Sequence, residues 1–212
     1  MEINPKSIVL STQVSPSTLI SSLVNRYSSY IKLWNVLAYC FRLIHNAKAS
    51  REFRITGNLT STEIDRSTHH IIRDVQRESF FEDIHQLKAH GRVKPSSKLS
   101  PLNVFLDDLK LIRVGGRLRP VSIQFSAKHP VLLPHTHPLT ELIIFYEHKR
   151  NLHPGAQATL SFVRQSFWQL NGRNAVRNVL SKCIPCFRSN PQIMNNLMGD
   201  LPASRVNISH LM

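Results

Sequence analysis

The stretch HKRNLHPGAQATLSFVRQSFWQLNGRNAVRNVLSKCIPCFR, residues 148–188, decides how the rest of the chain is read. It opens on His148 and His153 with four residues between them, and it closes on Cys183 and Cys186 with two residues between them. A spacer of 29 residues separates the two pairs. Two imidazoles and two thiolates are a complete donor set for a closed, tetrahedral, structural zinc site. The tight turn of a Cys-x2-Cys knuckle aims two sulfurs at one ion, and Pro185 stiffens that turn while removing one backbone donor. A lone Cys-x2-Cys also marks redox motifs, and surface histidines with free thiols are the bland alternative. The histidine pair, a domain-sized spacer upstream, is what favours zinc. The order His-His-Cys-Cys differs from the common finger order.

The residues around the four donors fit this reading. PLTELIIFYEHKR, residues 138–150, predicts a helix with Pro138 at its first position, His137 as a mediocre cap, and Leu139, Leu142, Ile143 and Tyr146 on one face. His148 falls on its last turn. Five residues are about 500° of helix rotation, so His148 and His153 would not share a face of one continuous helix. The helix must end between them, with Asn151 suited to a left-handed cap and Pro154-Gly155 blocking continuation. GAQATLSFVRQSFWQ then reads as a short helix with Leu160, Phe162, Val163 and Phe167 inward and Trp168 closing it. Asn171-Gly172 reads as a turn. RNAVRNVLSK reads as a second helix with Val176, Val179 and Leu180 inward, and with Arg173 and Arg177 one turn apart on the other face. The spacer is thus a helix-turn-helix-like pair pinned at both ends by metal.

Upstream, residues 1–24 are rich in Ser and Thr and read as an irregular lead-in. Residues 26–46 predict a helix in which Tyr30, Leu33, Trp34, Leu37, Phe41 and Ile44 form the apolar stripe, with Cys40 beside it as core packing. Thr60 stands three residues before Glu63, a capping box that starts a helix through Ile71, Ile72 and Val75. A further helix runs through Phe80, Phe81, Ile84 and Leu87. His69, His70, His85 and His90 lack a thiolate partner and read as solvated or core residues. GRVKPSSKLS, residues 91–100, is a linker. NVFLDDLKLIRVGGRLR alternates around Asp107-Asp108 as a β-hairpin. Gly115-Gly116 suggests a bulge or a close backbone approach, since the GK[ST] of a phosphate loop is missing. Val131 to Leu133 gives another short strand.

The fold class expected is mostly α with a small β element. Its parts are an irregular lead-in (1–24), a helical segment (25–91), a linker (92–100), short β-strands (101–134), a zinc-stabilised helical bundle (135–188) and an exit segment (189–212).

Hydrophobic residues are 42% of the chain, enough to build a core and to argue against wholesale disorder. Three cysteines are too few for a disulfide framework and point to a reducing, intracellular compartment, cytoplasm or nucleus. No apolar run reaches the roughly 18 residues of a membrane span, so no membrane partner is expected. The formal net charge is +14, with 27 Lys and Arg against 13 Asp and Glu. That imbalance favours a polyanionic partner, nucleic acid being the commonest.

Several phrases resemble the integrase region of BEL/Pao-type LTR retrotransposon polyproteins. NRYSSYIKLWNVLAYCFRLI and LTSTEIDRSTHHIIRDVQRESFFEDI resemble the helical segments after the RNase H portion. LKLIRVGGRLR and KHPVLLPHTHPLTELII resemble the approach to the integrase zinc-binding domain. Residues 148–188 resemble that domain, and MGDLPASRV resembles the linker after it. The likeness covers roughly residues 20–206.

The resemblance implies one structural Zn2+ held by His148, His153, Cys183 and Cys186. It also implies contact with element DNA ends and assembly with itself or other integrase chains. Phosphate contacts would come from Arg164, Arg173, Arg177, Lys182 and Arg188. The family's catalytic core, with three carboxylates, would follow the linker. Asp200 is the only acid after Glu147 and cannot run two-metal chemistry alone. The expectation is therefore a non-catalytic polyprotein fragment. A zinc hydrolase or nuclease is disfavoured because four protein donors leave no open position. The alternative is a zinc-stabilised interaction or dimerisation module in which the basic charge is incidental.

Overall fold

Leu111, Ile112, Val114, Val131, Leu132 and Leu133 are each no more than 6% exposed, so short strands with both faces covered lie at the centre of the molecule. The computed structural model describes residues 22–115, 124–189, 191 and 199–200. Most of the expected lead-in, Gly116, the segment around Pro120, Met194–Asn196 and most of the MGDLPASRV phrase lie outside the described residues.

The described chain is mostly helical with one small sheet. In chain order the elements are α1 (Tyr30–Lys48), α2 (Ser61–Ser79), α3 (Phe81–His90), β1 (Val104–Leu106), β2 (Ile112–Val114), α4 (Phe125–Lys128), β3 (Val131–Leu133), α5 (Pro138–Arg150), α6 (Ala156–Arg164), β4 (Phe167–Gln169), α7 (Gly172–Leu180) and α8 (Ile184–Ser189). The sheet order is β1-β2-β3-β4. The first two pairings are antiparallel and the last is parallel.

Successive strand residues point to opposite faces, and here both faces feed a core. Leu111, Val131 and Leu133 join a cluster with Leu33, Ile71, Ile72, Ile143, Val163 and Val176. Ile112, Val114 and Leu132 join a second cluster with Phe80, Ile84, Leu87, Leu99 and Val104. The sheet is thus a partition between two apolar cores, which is why β3 is wholly apolar and lacks the alternation of a one-sided sheet, while Arg113 in β2 is buried through its pairing with Asp107.

One side chain completes the sheet from outside it. Gln76 of α2 is fully buried. Its Nε2 donates to the Ile112 carbonyl at 3.0 Å and to the Leu132 carbonyl at 2.7 Å, and its Oε1 accepts from the Ile112 N–H at 2.8 Å. The amide stands in for the ladder bonds missing between β2 and β3, whose register holds one residue pair, Arg113 with Val131. The β1–β2 hairpin is closed by Asp107, which accepts from the Leu111 N–H at 2.8 Å and from Arg113 Nε at 2.5 Å. Gly115 is a close backbone approach, as expected: a Cβ there would lie 2.4 Å from the Asn103 carbonyl oxygen.

The helices follow their periodicity with some departures. Thr60 and Glu63 form the full capping box at the start of α2. Glu63 also receives Arg42 of α1 through Nε at 2.7 Å and Nη2 at 2.6 Å. Arg42 additionally donates to the carbonyls of Gly57 and Asn58, so it holds the α1–α2 turn against both helices.

The expected helix over 26–46 is interrupted. Residues 22–26 are helical, residues 27–29 are not, and α1 begins at Tyr30. Along α1 the inward face is Tyr30, Leu33, Leu37, Ala38 and Arg42. That places Cys40 on the exposed side rather than in the core, and Ile44 is 53% exposed. Buried Arg42 takes the place on the stripe where an apolar residue was expected. Of the apolar residues that the α3 helix was expected to run through, Phe81 is 72% exposed, while Phe80, Ile84 and Leu87 face the core.

The larger correction is at Phe167–Gln169. This run is not the end of a helix. It is β4, which pairs with β3 in the register Val131 to Phe167, Leu132 to Trp168 and Leu133 to Gln169. The strands at 101–134 and the segment 135–188 therefore share one sheet, and α5 and α6 form the helical crossover that a parallel pair requires. Leu99, in the expected linker, is 1% exposed and belongs to the second core.

Candidate metal centre

The site is built from the end of α5, the loop after it, and the segment after α7. Leu139, Ile143 and Ile144 anchor α5 in the core, which carries His148 into the interior at 0% exposure. The helix ends at Arg150. Asn151 does not take the left-handed conformation expected of it (φ −97°); its side chain instead donates to the Glu147 carbonyl at 2.8 Å. The left-handed residues are Leu152 and His153, both at φ 60°. The reversal brings the His153 N–H to the His148 carbonyl at 2.9 Å and folds the second ring back onto the first. The two ring centroids are 4.7 Å apart at 88°. Two adjacent non-glycine residues in this region cost on the order of 1–3 kcal/mol each, and the second of them is a donor residue.

Cys183 follows α7 directly, its N–H bonded to the Leu180 carbonyl at 3.0 Å. Cys186 lies in α8, whose early proline, Pro185, fixes the turn between the sulfurs. The donor atoms of His148, His153, Cys183 and Cys186 all lie within 4.8 Å of one another. His148 Nε2 is 3.1 Å from His153 Nδ1 and 3.2 Å from Cys186 Sγ. Cys183 Sγ and Cys186 Sγ are 3.3 and 3.7 Å from His153 Nδ1. With zinc bonds of about 2.0–2.1 Å to nitrogen and about 2.3 Å to sulfur, a tetrahedron has edges of roughly 3.3–3.8 Å. The observed separations are close to such edges, so the donor set fits one structural zinc.

Charge and hydrogen bonding fit as well. Burial, with His153 beside it, lowers the pKa of His148 and favours the neutral, metal-binding imidazole. Burial, with Cys183 beside it, pushes the Cys186 thiol up. Two adjacent thiolates in this environment need a cation, and a divalent ion supplies it. Thr159 of α6, fully buried, orients the first imidazole: its hydroxyl donates to the Pro154 carbonyl at 3.2 Å and stands 3.4 Å from His148 Nδ1. A proton held on Nδ1 leaves the Nε2 lone pair for the ion. Sequence reading missed Thr159; its signal is a position one helical turn before Val163, on the same buried face.

Residues 135–192 match the family model of the integrase zinc-binding domain. No curated protein and no solved structure matches the chain. The integrase zinc-binding domain accounts for the donor order His-His-Cys-Cys, and its matched span includes all four donors, α5 to α8 and β4.

The five cations expected at phosphates are exposed, but the structure does not gather them all. Arg164 and Arg173 border one groove beside the start of α7. Arg177, Lys182 and Arg188 do not line it. Lys182 bridges to Glu141 at 3.2 Å across an exposed surface. Among the described residues, no helix is long and apolar enough to cross a membrane.

Proposed function

We propose that this chain belongs to a BEL/Pao-type retroelement polyprotein, and that its integrase zinc-binding domain is a non-catalytic module that binds nucleic acid and supports integrase assembly at element DNA ends. The observation that carries this reading is the convergence of His148, His153, Cys183 and Cys186 inside a segment matching an integrase zinc-binding domain. Four protein donors close the ion's coordination, so the zinc serves folding rather than turnover. The net charge of +14 and the exposed arginines of α6 and α7 supply the attraction for a phosphate backbone.

The test is to load the full chain with zinc, measure metal content, then titrate a chelator while following circular dichroism and binding to labelled DNA over a salt series. One zinc per chain, loss of helical signal on chelation, and a salt slope that flattens when Arg173 and Arg177 are both changed to Ala are the expected results. A chain that keeps both its helices and its DNA affinity without zinc would refute the metal-folded role.

A self-association reading has its own observation. On α1, Ile31, Tyr39, Leu43 and Ile44 are 44–70% exposed. Gel filtration with and without DNA separates association through this face from association driven by nucleic acid.

A further inference from the structure

The start of α7 combines three features that one ligand would explain. The first is an open helix terminus. Asn171 precedes α7 at φ 53° and makes no side-chain cap bond, while the first turn's own bonds begin with the N–H groups of Asn174 and Ala175. The leading N–H groups of a helix have no intrahelical partner, and they carry the positive end of its dipole.

The second feature is an orphaned amide. Gln169, at the end of β4, is 2% exposed, and neither its Nε2 nor its Oε1 has a hydrogen-bond partner. A buried amide left unpaired is costly. Its Oε1 lies 3.1 Å from where a Cβ of residue 172 would be, so Gly172 is what lets the helix start sit against it.

The third feature is the wall of the groove that both of these border. It encloses about 460 Å3 and is lined by Lys98, Arg164 and Arg173, with no carboxylate among its lining residues. The Arg164 guanidinium lies 4.9 Å over the Trp168 ring, which adds an aromatic surface to the basic one.

We propose that this groove holds one nucleotide of a nucleic-acid strand, with a phosphodiester oxygen at the N-terminus of α7 and Lys98, Gln169 and Arg173 as its side-chain donors. The nucleotide, rather than a bare anion, follows from the amide. Phosphate oxygens satisfy Nε2, but Oε1 needs a donor, and a base carries N–H groups. Lys98 comes from the segment before the sheet and Arg173 from the zinc domain, so the binding surface is composite. This inference rests on the nucleic-acid reading above and assigns its position, separating Arg164 and Arg173 from Arg177, Lys182 and Arg188.

The experiment uses the full zinc-loaded chain and a fluorescein-labelled DNA oligonucleotide, followed by anisotropy over a salt series. A Trp34→Phe background leaves Trp168 as the single tryptophan, so its emission reports occupancy of the groove. Oligonucleotide should change that emission, and inorganic phosphate at the same ionic strength should not. Lys98→Ala with Arg173→Ala, both at exposed positions, should lower the log–log salt slope by about two, one unit per phosphate contact. Gln169→Leu should keep or raise the urea midpoint, because two unpaired atoms are removed, while weakening DNA binding by about tenfold. A merely structural glutamine would lose stability instead. Wild-type DNA affinity and slope in the double variant would overturn the groove and leave the nucleic-acid reading standing. If the unmodified zinc-loaded chain binds no DNA at low salt, the broader reading fails and this one with it.

Discussion

Replacing Gln76 with Leu would remove the amide that completes the sheet while keeping a side chain of similar volume. Two buried backbone groups would lose their partner, the Ile112 N–H and the Leu132 carbonyl, and the Ile112 carbonyl would lose one of its donors. Water has no route in, since Gln76, Ile112 and Leu132 are all 0% exposed. An orphaned buried group costs about 1–3 kcal/mol, so the two together cost roughly 2–6 kcal/mol. The extra apolar transfer of Leu returns about 1–2 kcal/mol, leaving a net loss of about 1–4 kcal/mol. That is a large share of the roughly 5–15 kcal/mol that holds an ordinary domain together. Urea unfolding of the zinc-loaded chain measures it as a lower midpoint with an unchanged slope. A loss below about 1 kcal/mol would show that β2 and β3 close without the amide, and the role assigned to Gln76 would be wrong.

Leu152→Gly should stabilise the chain by about 1 kcal/mol, since Leu152 is 88% exposed, sits at φ 60° and gives up little contact; thermal unfolding checks it, and a fall in midpoint would mean that the strain is not there. The Arg42 guanidinium, together with the Thr60 cap, holds the Glu63 carboxyl at about 2, below its ordinary 4.5. A depressed carboxylate contributes stability that is complete above its unfolded value and is lost as pH falls through the folded one. The urea midpoint should therefore drop between pH 4.5 and 2, and Glu63→Gln should remove part of that drop; an identical pH profile in the variant would exclude this pair as its source. Thr159→Val keeps the shape beside His148 but removes the hydroxyl, and zinc affinity measured against a competing chelator should fall by about 10–100-fold. Equal affinity would place the orienting role elsewhere.

The metal donors were legible because zinc chemistry restricts both residue type and spacing, and because Pro154 announces the helix break between the histidines. The helices were legible wherever a 3.6-residue stripe ran for several turns, as through Ile71, Ile72 and Val75. β4 was not legible. Phe167, Trp168 and Gln169 are three residues at the end of an apolar helical run, too few to show a period of their own, and only the distant β3 makes them a strand. Gln76 was hidden for a related reason. A glutamine next to Val75 looks like the edge of a helix stripe until the backbone it serves, dozens of residues away, is folded against it. Cys40 was misplaced because the stripe of α1 gives a core position to Arg42, whose charge is neutralised by Glu63 rather than by water. The left-handed pair at Leu152 and His153 carries no glycine to signal it.

The parallel pairing of β3 with β4 has a consequence for the chain without its ion. Between those strands lie both histidines, and just beyond β4 lie both cysteines, so zinc works as a removable cross-link that fastens the crossover and the outer strand. Without the cross-link, the segment that presents β4 is held only by its own packing. Once that segment loosens, Val131, Leu132 and Leu133 become an open, wholly apolar sheet edge, the kind of surface on which protein chains add to one another. Zinc supply would then govern whether this chain stays dispersed, apart from any part the ion has in handling nucleic acid.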